Sequence, residues 1–165
     1  MPKQDFQVVF WGVRGSLPVP GADTIRFGGN TSCVQVQIGE NLIILDAGTG
    51  IFRLGHQLTN SSTTITGDIF ITHTHWDHIQ GLPFFKPLYI PGNEMHFYSP
   101  FEDIETRISR QMLDQYFPMS FEATASKKNF HVLTEETIVM PDGTTVDWHP
   151  MKHPGGSFAY RFRKK

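Results

Sequence analysis

The sequence predicts an α/β fold organised as one domain over residues 1–165. Short apolar strands alternate with helical stretches along the chain, the pattern of a sheet with helices packed on it. Gly- and Pro-rich turns separate the segments, and no repeat, low-complexity tract or linker marks a second unit. One buried strand runs into a cluster of histidines, and strand ends are where sheet-based folds place their chemistry. At 165 residues, 39% hydrophobic and 13% aromatic, the chain has enough apolar material for one real core.

The first strand covers residues 6–11 and breaks at Gly12 into a loop through Pro18, Pro20 and Gly21, of a length that usually carries function. Residues 32–38 alternate with period two, as a half-buried strand does, and Gly39-Glu40-Asn41 turns them into the continuously apolar 42–45. That pair predicts a hairpin leading into a central strand. Residues 51–58 are weakly helical, and 68–72 form the buried strand that delivers the histidines. Gly81-Leu82-Pro83-Phe84-Phe85 is too apolar for an exposed loop and is expected to pack beside them. A strand over 95–98 is followed by Ser99-Pro100-Phe101-Glu102, which reads as a capping box with Pro at the first helical position. Ile104, Ile108 and Met112 then give a helix one apolar stripe. Residues 117–129 fit neither pattern. Short strands are expected at 132–133, 138–140, 145–148 and 158–162, with a turn at Pro141-Asp142-Gly143.

The chemistry concentrates in His73-Thr74-His75-Trp76-Asp77-His78. In an extended segment side chains at i and i+2 point the same way, so His73 and His75 can grip one ion together. Asp77 falls on that face too, and His78 turns off it as the chain leaves the strand, a geometry suited to two neighbouring ions. Imidazole nitrogen and carboxylate oxygen are ligands that Zn²⁺ accepts readily, with Mn²⁺ or Fe²⁺ as alternatives. The plainer reading is a polar loop whose histidines only hydrogen-bond.

This motif, preceded by Ile69-Phe70-Ile71-Thr72, resembles the H-x-H-x-D-H signature of the metallo-β-lactamase-fold hydrolases. Leu42-Ile43-Ile44-Leu45-Asp46-Ala47-Gly48-Thr49-Gly50 resembles the family's strand with its Asp-Gly segment, and His153 in Lys152-His153-Pro154 its isolated downstream ligand. Phe10-Trp11-Gly12-Val13-Arg14-Gly15-Ser16 and Gly28-Gly29-Asn30-Thr31-Ser32 are similar to the opening of the phosphodiesterase-like branch, which includes ribonuclease Z and cyclic-phosphodiester hydrolases. The resemblance implies a four-layered αββα sandwich, incomplete at its C-terminal end, with His73, His75, Asp77, His78 and His153 as ligands to one or two Zn²⁺ ions. It further implies that Asp77 orients the attacking water and that Asp46 steadies the metal loop through hydrogen bonds. From the residues alone, Asp46 reads equally as the cap of the Gly48-Thr49-Gly50 turn. His153 alone reads as a surface His before Pro-Gly-Gly. Beside the cluster, and ahead of 157–162, which resembles the family's next strand, it reads as a ligand.

Water on such ions falls to a pKa near about 7, and two ions roughly 3.5–4 Å apart stabilise the attacking and leaving oxygens of an in-line displacement. The expected function is hydrolysis by metal-bound hydroxide, with a small-molecule or nucleotide phosphodiester as substrate. A thioester or lactam hydrolase of the same fold and a non-catalytic metal-binding or regulatory module are the alternatives. The family pattern continues, after its equivalent of His153, to a bridging acidic residue and a final His; the twelve residues after His153 hold neither. A fragment of a longer hydrolase is the favoured expectation, ahead of a short form completed by a partner chain, including a homo-oligomer, or a degenerate module.

Composition narrows the setting. Fourteen basic against sixteen acidic residues give a net charge of −2, which lends nucleic-acid binding no support. A single cysteine, Cys33, excludes an intrachain disulfide and fits a reducing compartment, and its place in an alternating strand predicts a buried thiol. No apolar run approaches membrane-spanning length, and the start lacks a leader's apolar region, so a soluble cytoplasmic protein is expected. His56, His96, His131 and His149 are expected to be ordinary surface or core histidines. The Gly28-Gly29 segment lacks the Lys of a phosphate loop and reads as a tight turn entering a strand, with Arg14 and Arg26 near it as solvated cations able to meet a phosphate.

Overall fold

The computed structural model describes residues 6–61 and 64–164. Strands β1 (Phe6–Gly12), β2 (Cys33–Ile38), β3 (Asn41–Leu45), β4 (Thr66–Phe70), β5 (Glu94–Ser99) and β6 (Lys127–Val132) lie side by side in chain order. The first three pair antiparallel, and β3 to β6 run parallel. Parallel neighbours need a crossover. The chain supplies α1 (Gly50–Ser61), then α2 (Trp76–Ile79) with two 3₁₀ turns, then α3 (Ile104–Ser109). A second, antiparallel sheet holds β7 (Thr137–Val139), β8 (Thr145–Met151) and β9 (Ser157–Arg163).

Alternation within the strands decides the layering. Leu42 and Ile44 of β3, Ile69 of β4, and Met95 and Phe97 of β5 pack with Ile51, Leu54, Phe85, Ile104 and Ile108 on the helical side. Their neighbours Ile43, Phe70 and Tyr98 face the other way and pack with Val146, Tyr160 and Phe162 of the second sheet and with Met140 just beyond β7. Strands β3 to β5 at the centre of the sheet are therefore covered on both faces, as parallel strands require. A side chain such as Phe70, fully buried between the sheets, contributes about 1.5–3 kcal/mol. Its ring lies 5.1 Å from that of Phe162 and 5.2 Å from that of Tyr160, edge-on to both. These are three layers of the expected αββα sandwich, and no outer helical layer covers the second sheet among the described residues.

The second sheet does not reach over β1. Phe6, Val8 and Phe10 sit opposite Ile38, Val36 and Val34 and share their face, yet stay 49%, 44% and 67% exposed.

Three local expectations change. The capping box does not form: Ser99 ends β5, pairs with Val132, and its hydroxyl donates to the Ile71 carbonyl at 3.2 Å. Asp103 stands at the helix N-cap instead, and α3 gives way to a 3₁₀ turn over Arg110–Met112, although Ile104, Ile108 and Met112 are buried as their spacing requires. β6 begins at Lys127, where a polar sequence gave no strand signal and pairing with β5 decides the conformation. The histidine run stays extended only to His75, whose ψ is 148°, and 76–79 form a helical turn. The N-terminal residues 1–5, on which the leader reading rests, lie outside the described residues. No described helix is long and apolar enough to cross a membrane.

Candidate metal centre

Three loops converge where β3 and β4 end. Asp46 and Ala47 follow β3, residues 71–79 follow β4, and residues 152–156 join β8 to β9. Backbone bonds lock the first two together: Asp46 N–H donates to the Phe70 carbonyl at 2.9 Å and Ala47 N–H to that of His78 at 2.7 Å. Contact is too close for side chains. A Cβ on Gly48 would fall 2.2 Å from the Asp77 carbonyl oxygen, and one on Gly81 would fall 2.1 Å from that of Gly48. The third loop is tied in by Phe158 N–H donating to the Thr72 carbonyl at 3.0 Å and by the Tyr160 hydroxyl donating to that of Ile71 at 2.8 Å.

This packing brings His73, His75 and His153 together, with one ligand nitrogen from each lying within 4.8 Å of the others. His153 Nε2 stands 3.1 Å from His75 Nδ1, across 78 residues of sequence. His78 adjoins the group, its ring centroid 4.0 Å from that of His73. His78 Nε2 is 3.6 Å from Asp77 Oδ2, so this pair stands beside the three-histidine group.

Asp46 underlies the whole arrangement. It is 3% exposed, its backbone is left-handed at φ 60°, and its carboxylate accepts from the Thr72 N–H at 2.8 Å and the Thr72 hydroxyl at 2.9 Å. His78 Nδ1 lies 2.7 Å from Asp46 Oδ2. Since the carboxylate only accepts, His78 carries its proton on Nδ1 and offers the Nε2 lone pair outward. The Thr72 hydroxyl, already donating to Asp46, accepts from His73 Nδ1 at 3.0 Å, which likewise frees His73 Nε2. The Asp46 side chain bonds Ser32, Thr72 and His78 rather than the Gly48-Thr49-Gly50 turn.

The electrostatics follow. Burial and the adjacent His78 push the His73 pKa down to about 4, against a smaller opposing pull from Asp46. For His78, burial favours the neutral ring, but the hydrogen bond and charge of Asp46 outweigh it and the pKa is raised. For Asp77, burial opposes ionisation, but the Ser16 N–H and His78 outweigh it and hold the carboxyl below its usual range.

The residues singled out by sequence therefore meet at one place, although Asp77 and His78 reach it from a helical turn. Ser16, Thr72 and Ser32 were not singled out individually. Ser16 N–H donates to Asp77 Oδ2 at 2.7 Å from a left-handed backbone at φ 69°. Its only sequence signal is the Gly15-Ser16 end of the N-terminal motif. Among the four histidines read as background, His96 and His131 touch each other at 3.0 Å on β5 and β6, outside the cluster.

A family model described as Anti-Pycsar protein Apyc1 matches residues 22–161. The chain belongs to the Apyc1 family. This Apyc1-family chain is 31% identical over 162 residues to ribonuclease Z of Pyrococcus abyssi, a match that spans 96% of this chain and 48% of that protein. Among solved structures it is similar to a diphosphatase from the PhnP family, with TM-score 0.66 and 24% identity over 95% of this chain and 61% of that one. The metallo-β-lactamase-fold protein YhfI from Bacillus subtilis gives TM-score 0.62 and 18% identity over 96% and 57%. The fold is thus metallo-β-lactamase-like, and the chain spans about half the length of the ribonuclease Z it matches.

The donors suit a metal. Three imidazole nitrogens converge, two neighbouring rings are held by oxygen acceptors on their far side, and His73 resists protonation to about pH 4. That is the donor chemistry of a borderline divalent cation, backed by outer hydrogen bonds that fix the ring orientation.

Proposed function

We propose that this chain carries most of the metal site of a metal-dependent phosphodiesterase acting on cyclic nucleotides. The observation that carries this reading is the convergence of His73, His75 and His153 beside the Asp77–His78 pair. Membership of the anti-Pycsar family supports it, as do relatives named for cleaving phosphate linkages, ribonuclease Z and a diphosphatase. His73, His75 and His153 would hold one ion, Asp77 and His78 part of a second, with Zn²⁺ as the expected metal and Mn²⁺ or Fe²⁺ as alternatives. Bound there, the ions would supply Lewis acidity and a water of lowered pKa. Asp77, kept ionised by Ser16 and His78, accepts a hydrogen bond from the incoming water and fixes its direction. Asp46 keeps the His78 proton on Nδ1. A reducing cytoplasm suits the buried, free Cys33, and association with a second copy is part of the proposal.

The test loads purified chain with each metal and offers bis(p-nitrophenyl) phosphate and 3′,5′-cyclic nucleotides beside thioester and β-lactam substrates. Turnover confined to the phosphodiesters is expected, and failure to take up any of the metals at neutral pH would sink the proposal. A second reading, metal binding without turnover, is favoured by the sparse ligand set of the second position, to which only Asp77 and His78 belong among the described residues. It predicts bound metal and no hydrolysis at any protein concentration.

A further inference from the structure

The loop after β1, whose Ser16 N–H bonds Asp77, folds into a pocket that the chemistry above leaves unused. Its volume is about 260 Å³, and Arg14, Asp23, Thr24, Arg26 and Phe27 line it. Whole-ligand sites run to about 300–1,000 Å³, so this one suits a single moiety of a larger ligand.

The loop is ordered by its own bonds. Val19 N–H donates to the Gly29 carbonyl at 3.0 Å, Gly28 N–H to that of Thr24 at 2.7 Å, and the Thr24 hydroxyl to that of Val19 at 2.8 Å. Arg14 is fixed by its Nε donating to the Leu17 carbonyl at 2.9 Å. Phe27 remains 72% exposed, with the Arg26 guanidinium 4.9 Å from its ring centroid. Neither Arg14 nor Arg26 forms an ion pair with a described carboxylate.

Pocket and metal centre are joined through the backbone. Two residues beyond Arg14, the Ser16 N–H donates to the Asp77 carboxylate. With about 3.8 Å between successive Cα atoms, the Arg14 Cα lies at most about 7.6 Å from that of Ser16, within one side chain's reach.

The lining selects the ligand. An exposed aromatic face stacks on a flat π-system, two guanidinium forks donate to carbonyl or ring-nitrogen acceptors, and Asp23 accepts from an amino group. Bare phosphate would use the arginines but gain nothing from Phe27 or Asp23. A lipid chain would be repelled by three charged side chains. A nucleobase uses every group. We infer that this pocket is the base subsite of a mononucleotide whose phosphodiester lies at the metal centre, an assignment that rests on the phosphodiesterase reading for the position of the phosphate.

The test measures binding to the zinc-supplemented chain by calorimetry, with nucleoside 5′-monophosphates and base-less ribose 5-phosphate as probes. The nucleotide is expected to bind about tenfold tighter than ribose 5-phosphate, as stacking of one base provides. Phe27→Ala and Arg26→Gln should each remove most of that advantage. Phe27→Leu, which keeps the apolar volume, should remove it too, so a general loosening of the loop is told apart from loss of the ring face. Val139→Ser, at an exposed position on β7, should bind as the parent does. Equal binding of both probes by the parent overturns the inference, as does a base preference that survives in both Phe27 variants. Binding of an oligonucleotide far tighter than of a mononucleotide would overturn it in favour of a polynucleotide track. Absence of cyclic-nucleotide turnover with the base preference intact would fail the phosphodiesterase reading and leave the subsite standing.

Discussion

His75 and His96 illustrate how little a residue's type decides and how much its neighbours do. His75 faces His153 Nε2 at 3.1 Å, whereas His96 meets His131 on the sheet surface. His75→Ala should therefore cost the chain a bound ion and any activity, while His96→Ala should keep full metal content by elemental analysis; a large loss in the second variant would mean the site is misplaced. His78 gives a pH dependence. Its raised pKa means that the ring protonates, and loses the Nε2 lone pair, at higher pH than a free His. Occupancy of the Asp77–His78 position should begin to fall at a pH above the free imidazole value of 6.5 and be lost below it, while His73 remains unprotonated to about pH 4. Metal stoichiometry across that range checks it, and a flat profile would contradict it. In the metal-free chain the sign is that of a raised base. The His78–Asp46 pair adds stability fully below the unfolded value of 6.5, and this is lost as pH rises through the folded one. At this scale the sequence was eloquent where donors are clustered, and mute on Ser16, whose part depends on a backbone N–H that any residue but Pro carries.

Among the elements, the strands with clean alternation or unbroken apolar runs were legible, since burial on one or both faces writes itself into side-chain type. β6 was not, because Lys127, Lys128 and Asn129 are held by parallel pairing with β5. The capping box misled for the same reason: Ser99 had two local roles open to it, and the ladder took it. The loops of the candidate metal site depend on glycines in a way that spacing does not reveal. Gly81→Ala would drive a methyl onto the Gly48 backbone, so overpacking of about 1–3 kcal/mol is expected. Thermal melts should show it as a Tm lower by about 2–4 °C per kcal/mol.

For the whole molecule, layering and the meeting of distant loops followed from the family resemblance more than from composition. The exposed row of Phe6, Val8 and Phe10 has an inward-facing sheet surface's character without a cover. An apolar face on an edge strand draws in other chains. Light scattering should find the isolated chain larger than its 18.8 kDa monomer, and Phe10→Lys should shift it back toward that mass. The last consequence concerns order in time. His153 arrives on the second sheet and its partners on the first, so the three-histidine group cannot exist until the sheets have docked. An ion held there would act as a clasp across the two layers, closing last in folding and opening first. Removing it with a chelator should speed amide hydrogen exchange at Phe158, whose N–H bridges the sheets, well before it touches the β3–β4 ladder.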